Sequence, residues 1–231
     1  MPPAELPLID AAVWSQAGRL FAVQAAAYFV GSIPFGLLVG RAAADIDIRQ
    51  HGSGNIGATN VGRALGFRFF LLVFTLDFAK GLLPVLAAQW LQRRVAVSGN
   101  VPASHWYLPE AAGLAALLGH AFPIWLNFKG GKGVATAVGV IAGLALAPLI
   151  GAAAVFLLAL ALTRMVSAAS LAAALGLNAA YFAVAFQPWR GPRIALSALI
   201  LAIAALILLR HRGNLVRILQ GTEPRIGRPP T

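Results

Sequence analysis

The sequence predicts an all-α membrane protein, a bundle of seven transmembrane helices, and three observations predict it. First, the 231 residues are 59% hydrophobic and only 11% charged, with mean hydropathy +0.79. Soluble domains carry about 25% charged residues, so this chain lacks the polar surface to cover a water-facing globule. Second, apolar runs of about 20 residues, long enough to cross a hydrocarbon core, recur along the chain. Third, the basic residues near the run ends segregate. Twelve, from Arg41 to Arg228, fall on one side, against Arg19, Arg93, Arg94, Arg190 and Arg193 on the other. The positive-inside rule makes the richer side cytoplasmic, with the N-terminus outside and the C-terminus inside.

Residues 1–18 carry Glu5 and Asp10 and no basic n-region, and they read as an N-terminal extension before a retained helix. Run one is Leu20 to Val39, followed by a polar stretch, Gly40 to Gly66. Run two, Phe67 to Leu91, is interrupted by Asp77 and Lys80. The loop Gln92 to Pro109 holds an expected turn at Ser98-Gly99-Asn100. Run three is Ala111 to Phe128, broken by Lys129-Gly-Gly-Lys-Gly133. The block Val134 to Thr163 is too long for one crossing, and Pro148 near its middle marks a hairpin of two short helices. A single crossing there would give six and move Arg164 and the tail outside, against the charge rule. Run six is Met165 to Phe186, Gln187 to Arg193 is a turn, and run seven is Ile194 to Leu209. A basic cytoplasmic tail, 210–231, closes one domain of residues 1–231. Its Leu215, Val216, Ile218 and Leu219 suit a short amphipathic helix at the interface. The abundant alanine and glycine faces suit close helix packing.

The formal charge of +11 on a membrane chain reads as inside bias, anionic lipid or a phosphorylated substrate, and no nucleic-acid partner is expected. With no cysteine, disulfide and thiolate chemistry are excluded. No HExxH, metal-ligand cluster, serine nucleophile elbow or H-x-x-x-x-D pattern occurs, so neither metal nor cofactor is expected.

Three polar segments, all on the expected cytoplasmic face, carry the chemistry. In the first, residues 52–66, glycines permit turns whose N–H groups face an anion. Ser53, Asn55, Thr59 and Asn60 add neutral donors, and Arg63 adds a fork for phosphate oxygens. A plain polar loop has a similar composition, and the G-x-G-x-x-G match at 52–57 follows a bilayer helix rather than a strand. In the second, Lys129 and Lys132 stand among Gly130, Gly131 and Gly133 before a new helix, whose free N–H groups favour anions. This is no Walker loop, because Gly133 follows Lys132 where Ser or Thr is required. Mere charge anchors would not need flanking glycines. His120 lies close by in sequence, although a lone histidine more often serves packing. The third, residues 210–223, has the composition of any basic tail. Within the bilayer, Asp77 and Lys80 are one turn apart and pair structurally. His51 reads as a solvated loop residue, and His105 falls on the outer side.

Together these segments resemble the bacterial acyl-phosphate:glycerol-3-phosphate acyltransferase family, membrane enzymes that begin phosphatidate synthesis. The matching stretches are GSIPFG (31–36), GSGNIGATNVGRALG (52–66), LDFAKG (76–81), GHAFPIWLNFKGGKGVATAVG (119–139) and RHRGNLVRILQGTE (210–223). The resemblance implies seven transmembrane helices in the bacterial inner membrane and an active site facing the cytoplasm. The implied reaction moves a fatty acyl group from acyl phosphate to the 1-hydroxyl of sn-glycerol 3-phosphate, giving lysophosphatidate and phosphate. Ser53, Arg63, Lys132 and His211 are the expected catalytic residues. Asn55, Thr59, Asn60, His120, Lys129, Gly130, Gly131, Thr136, Asn214 and Glu223 are expected to bind substrate, with Glu223 ordering the loops. The expected partners are the two substrates, the bilayer and an enzyme that makes acyl phosphate. The activated donor makes a covalent enzyme intermediate unnecessary. The base stays open between His120, His211 and a substrate phosphate. An organic-phosphate transporter and a lipid-phosphate hydrolase are the rival readings.

Overall fold

In the computed structural model, residues 11–98, 107–191 and 193–227 are described. Their regular structure is helical: α1 (Ala11–Gly31), α2 (Phe35–Ala44), α3 (Ala58–Leu65), α4 (Phe67–Ser98), α5 (Leu108–Ala121), α6 (Val134–Leu144), α7 (Leu146–Thr163), α8 (Val166–Val184), α9 (Arg193–Arg210) and α10 (Arg212–Leu219). Among the described residues five stretches are long and apolar enough to cross a membrane: Phe21–Ala44, Phe67–Arg94, Leu146–Thr163, Val166–Val184 and Arg193–Arg210. Helices α5 and α6 are shorter, at 14 and 11 residues. At 1.5 Å per residue α6 rises about 16 Å, roughly half a hydrocarbon core.

Several boundaries differ from the expectation. α1 begins at Ala11, inside the stretch read as an extension. Run one is not continuous, because Pro34 has no N–H to donate and biases Ile33 away from helix. The chain breaks at Ser32–Pro34 and restarts as α2. The polar stretch after it is partly helical: α2 runs to Ala44, a 3-10 turn covers Ile48–Gln50, and α3 follows. α4 continues past Leu91 to Ser98, so the expected turn at Ser98–Asn100 runs into residues 99–106, outside the described set, as does His105. Run three ends early, at Ala121, because Phe122-Pro123 stops it and Ile124–Leu126 forms a 3-10 turn. The 134–163 block does divide in two. Its break is Ala145, with Pro148 in the first turn of α7, where a missing N–H costs nothing.

The helices pack through small residues. On α1 and α5, a Cβ at Gly31 would strike the Ala116 carbonyl and one at Gly119 the Tyr28 carbonyl. On α4 and α6, Gly81 meets the Thr136 carbonyl and Gly139 the Phe78 carbonyl in the same way. Such close approach replaces the hydrophobic drive that lipid removes. A buried cluster of Val85, Leu117, Val140, Ile141, Leu177, Ile200 and Ile203 joins α4, α5, α6, α8 and α9. The outer faces stay greasy: Leu162 of α7 is 77% exposed and Leu175 of α8 is 58% exposed. That arrangement suits lipid rather than water.

The breaks after α1, α5, α7 and α9 gather at one end of the bundle. Trp125 Nε1 donates to Ser32 Oγ at 2.7 Å, and Lys80 Nζ to the Ile33 carbonyl at 2.8 Å. Arg210 donates to the Gly131 and Gly130 carbonyls at 3.0 and 2.5 Å. Ser167 Oγ donates to Glu223 at 2.6 Å. Thus α1, α5, α7 and α9 end where α4, α6 and α8 begin. All three polar segments meet there.

Candidate active site

One cavity of about 530 Å³ opens at this end. Its polar part is lined by Ser53, Asn55, Thr59, Asn60, Arg63, Lys132, His211, Asn214 and Glu223, with His120 and Asp77 below them. Its apolar part runs between helices along Phe70, Phe74, Val138, Leu149, Ile150, Ala153, Phe156 and Leu157. The volume lies within the range of small-molecule pockets, about 300–1,000 Å³. A charged mouth joined to a greasy groove suits a molecule with an anionic head and an apolar chain.

The first segment is organised by Asn60, the buried third residue of α3. Its Oδ1 accepts from Ser53 N at 2.8 Å, and its Nδ2 donates to the carbonyls of Ile48, His51 and Asn55 at 3.0, 2.9 and 2.9 Å. Gly52 takes φ +56 and leaves no room for a Cβ beside Asn60 Oδ1. Asn55 Oδ1 accepts from Gly57 N at 2.9 Å, which turns the chain into α3. Both N–H donors of the Asn60 amide are committed to loop carbonyls, so it shapes the site rather than presenting donors to a ligand. Arg63, exposed at the rim, has no ion-pair partner among the described residues.

The second and third segments lock together through Lys132. Its Nζ donates to Asn214 Oδ1 at 2.6 Å. Asn214 Nδ2 donates to Glu223 Oε1 at 2.7 Å, and Arg217 Nε to Glu223 Oε2 at 2.8 Å. Gly133 holds φ +84 and turns the chain into α6 directly after the lysine. Burial pushes Lys132 down to about 8, Glu223 counters it, and Arg217, Arg63 and Arg210 push it further down. Burial alone would raise the Glu223 carboxyl. The hydrogen bonds from Ser167, Asn214 and Arg217 outweigh it and hold that carboxyl below its ordinary range.

His211 is buried, with Nδ1 2.8 Å from the Ile207 carbonyl. A carbonyl can only accept, so Nδ1 carries the proton and Nε2 the lone pair. Burial first, then Lys132, pushes this imidazole down to about 4, against its Ile207 hydrogen bond and Glu223. At neutral pH it is uncharged. Four expected residues do not line the cavity. Lys129 is exposed, because Asn127 and Phe128 take φ +50 and +61 and turn the chain outward. Gly130 and Gly131 pack against His120 and spend their carbonyls on Arg210. Thr136 is fully buried in the α4–α6 contact.

Sequence reasoning missed Ser167 and Ser170 of α8, which line the cavity, and the anchoring by Arg210 and Arg217. The two serines are one turn apart at the start of an apolar helix, a signal that was available. Arg210 and Arg217 had the composition of plain charge anchors.

Known proteins share this sequence and fold. The family model described as glycerol-3-phosphate acyltransferase matches residues 21–221. The glycerol-3-phosphate acyltransferase of Prochlorococcus marinus (strain NATL1A) is 43% identical over 204 residues, covering 87% of this chain and 96% of that protein. That of Anaeromyxobacter sp. (strain K) is 46% identical over 206 residues, covering 87% and 94%. Crystal structures of PlsY, an integral membrane glycerol 3-phosphate acyltransferase, superpose with TM-scores of 0.77 for the glycerol 3-phosphate form and 0.75 for the lysophosphatidic acid form. Each is 37% identical and covers 91% of this chain and 96% of its own. The sequence match, the helical bundle and the membrane-length apolar spans agree: the chain belongs to the glycerol-3-phosphate acyltransferase family of integral membrane enzymes.

Proposed function

We propose that the cavity is the site where an acyl group passes from acyl phosphate to the 1-hydroxyl of sn-glycerol 3-phosphate, in the first step of phospholipid synthesis. The observation that carries this reading is the convergence of Arg63 and Lys132 on a cavity whose lining carboxylates, Glu223 and Asp77, are already paired with Arg217 and Lys80. The mouth therefore has cationic charge to spare for phosphate, and the groove beside it has apolar wall for a fatty chain. Lys132 and Arg63 hold phosphate, and Ser53, Asn55 and Thr59 add neutral donors. His211 and Asn214 contact glycerol phosphate, while Glu223 ties the loops that carry them.

The hydroxyl oxygen attacks the acyl carbonyl, a new C–O ester bond forms, and the bond from carbonyl carbon to phosphate oxygen breaks. The donor is a mixed anhydride with phosphate as leaving group, so no covalent intermediate on the enzyme is needed. N–H groups of the glycine loops stabilise the developing oxyanion, an interaction worth on the order of 10²–10³ in rate elsewhere. The Nε2 of His211 takes the hydroxyl proton and returns it to the departing phosphate. An imidazole held near 4 is a weak base at rest, but two bound phosphates raise it toward neutrality. His120, buried beside Asp77, is not placed in this role.

We read residues 1–231 as one domain with seven crossings, α1, α4, α5, α6, α7, α8 and α9. The N-terminus lies outside, and the cavity faces the cytoplasm of a bacterial inner membrane. Alternation of helix direction and the basic residues at the cavity end support this reading. A soluble enzyme that makes acyl phosphate is the implied partner.

Purified protein in detergent, given acyl phosphate and glycerol 3-phosphate, should form lysophosphatidate. Formation without vesicles excludes pure transport. Lys132→Ala should lower the rate by at least about 10², the loss typical of a transition-state donor. Full activity in that variant would refute the phosphate assignment.

A further inference from the structure

Two buried polar atoms below the cavity mouth face each other with no hydrogen-bond partner among the described residues. They are Oδ1 of Asp77 and Nδ1 of His120, 3.7 Å apart. The mechanism above uses neither residue. Both line the cavity, and both side chains are at most 4% exposed. Lys80 stands one turn on from Asp77, with Nζ ion-paired to the same oxygen at 2.8 Å. The same Nζ donates to the Ile33 carbonyl at 2.8 Å. That carbonyl also accepts from Phe35 N at 3.1 Å, while the N–H of Leu37, its partner in an unbroken helix, donates to Pro34. Lys80 thus pairs with Asp77 and ties it to the α1–α2 break, and the same carboxylate oxygen lies 3.7 Å from His120 Nδ1.

His120 is the other half of the device. Its carbonyl accepts from Gly131 N at 3.0 Å, and the next carbonyl, of Ala121, accepts from Gly130 N at 3.2 Å. The Cα of Gly131 lies so close to the His120 ring that a Cβ there would strike Nε2. From the opposite side Arg210 holds the carbonyls of the same two glycines. Residues 130–131 form a plate between His120 and Arg210, and the next residue is Lys132.

We propose that Asp77 is a positioning residue for Lys132, acting through His120, and that phosphate bound at Lys132 closes the Asp77–His120 gap into a hydrogen bond. Hydrogen bonds of unliganded sites are often long and tighten in the complex. The inference rests on the reading of Lys132 as a phosphate holder.

Glycerol 3-phosphate binding, measured by calorimetry on the full chain in detergent, tests it. Asp77→Asn and Lys132→Ala should each weaken binding by at least about tenfold, and the double variant should be no weaker than Lys132→Ala, because residues acting through one contact are not additive. His120→Asn keeps a donor near the Nδ1 position and should bind more tightly than the similar-sized His120→Leu. The Nδ1 resonance of labelled His120 should move when glycerol 3-phosphate is added. Wild-type binding by Asp77→Asn beside a weakened Lys132→Ala overturns this inference alone. So do losses that multiply in the double variant, or His120→Asn falling as far as His120→Leu. Full binding by Lys132→Ala overturns the phosphate assignment itself, and this inference with it. If Asp77→Asn does not fold, the His120 pair and the resonance decide.

Discussion

Lys132 must do two things that pull against each other. It must be buried enough to grip phosphate strongly, and it must stay charged. Burial has already brought it down to about 8, which sets a pH limit. As pH rises through about 8 the free enzyme loses the Lys132 proton and with it the charge that recruits phosphate. We therefore expect kcat/KM for glycerol 3-phosphate to fall above about 8 in a pH–rate series. Phosphate monoesters take their second ionisation near about 6, so the substrate limb and the lysine limb separate. Lys132→Arg should carry the alkaline limb above about 10, because guanidinium does not deprotonate in this range. An unmoved limb would mean that another group sets it. His211 works from the opposite side. Neutral, and with Nδ1 committed to Ile207, it offers a lone pair. His211→Ala should cost more than about tenfold, or roughly 1.4 kcal/mol, in kcat measured near neutral pH.

At the scale of elements, the loops that line the cavity are shaped by single interior side chains. Asn60 is the clearest case. Four hydrogen bonds from one amide hold three loop carbonyls and the Ser53 N–H in place. Asn60→Ala would leave buried backbone groups unpaired, at about 1–3 kcal/mol for each one that water cannot reach. The expected outcome is a lower melting temperature in detergent, with a rise in KM for glycerol 3-phosphate larger than the loss in kcat. The α4–α6 contact is the second case. The Cα of Gly139 lies against the Phe78 carbonyl; α4 carries Asp77, and α6 follows directly on the Lys132 loop. This pairing fixes the distance between those two features.

At the scale of the molecule, alternating helices bring the three glycine-rich polar segments to one end and leave the waist greasy. The absence of cysteine makes the topology directly testable, because single cysteines need no background removal. Arg93→Cys and Gln220→Cys, both at exposed positions, should react with a membrane-impermeant maleimide from opposite faces of sealed vesicles. Labelling from the same face would remove the seven-crossing reading. The apolar part of the cavity, proposed to take the acyl chain, is walled by α4, α6, α7 and α8, and α7 presents Leu157 and Leu162 outward. A chain could thus enter from the bilayer without crossing water.

The sequence by itself determined the membrane class and the composition of the three polar segments. The free energy of crossing a bilayer is summed residue by residue along about 20 positions, so it can be read locally. The division of residues 134–163 was legible for the same reason, since excess length and a proline are local facts. The tertiary structure decided which polar side chains face the cavity and which hold it together. Lys132 and Asn214 are 82 residues apart in the chain, and no spacing rule could pair them. Asn60 and Lys132 look alike as candidates in the sequence, yet one is consumed by its own loop and the other faces the cavity. The break at Ser32–Pro34 was visible as a proline inside an apolar run. Its consequence was not, because the Ile33 carbonyl at the break accepts from Lys80 of another helix. Direction and partnership depend on elements meeting in space, and that is what packing supplied.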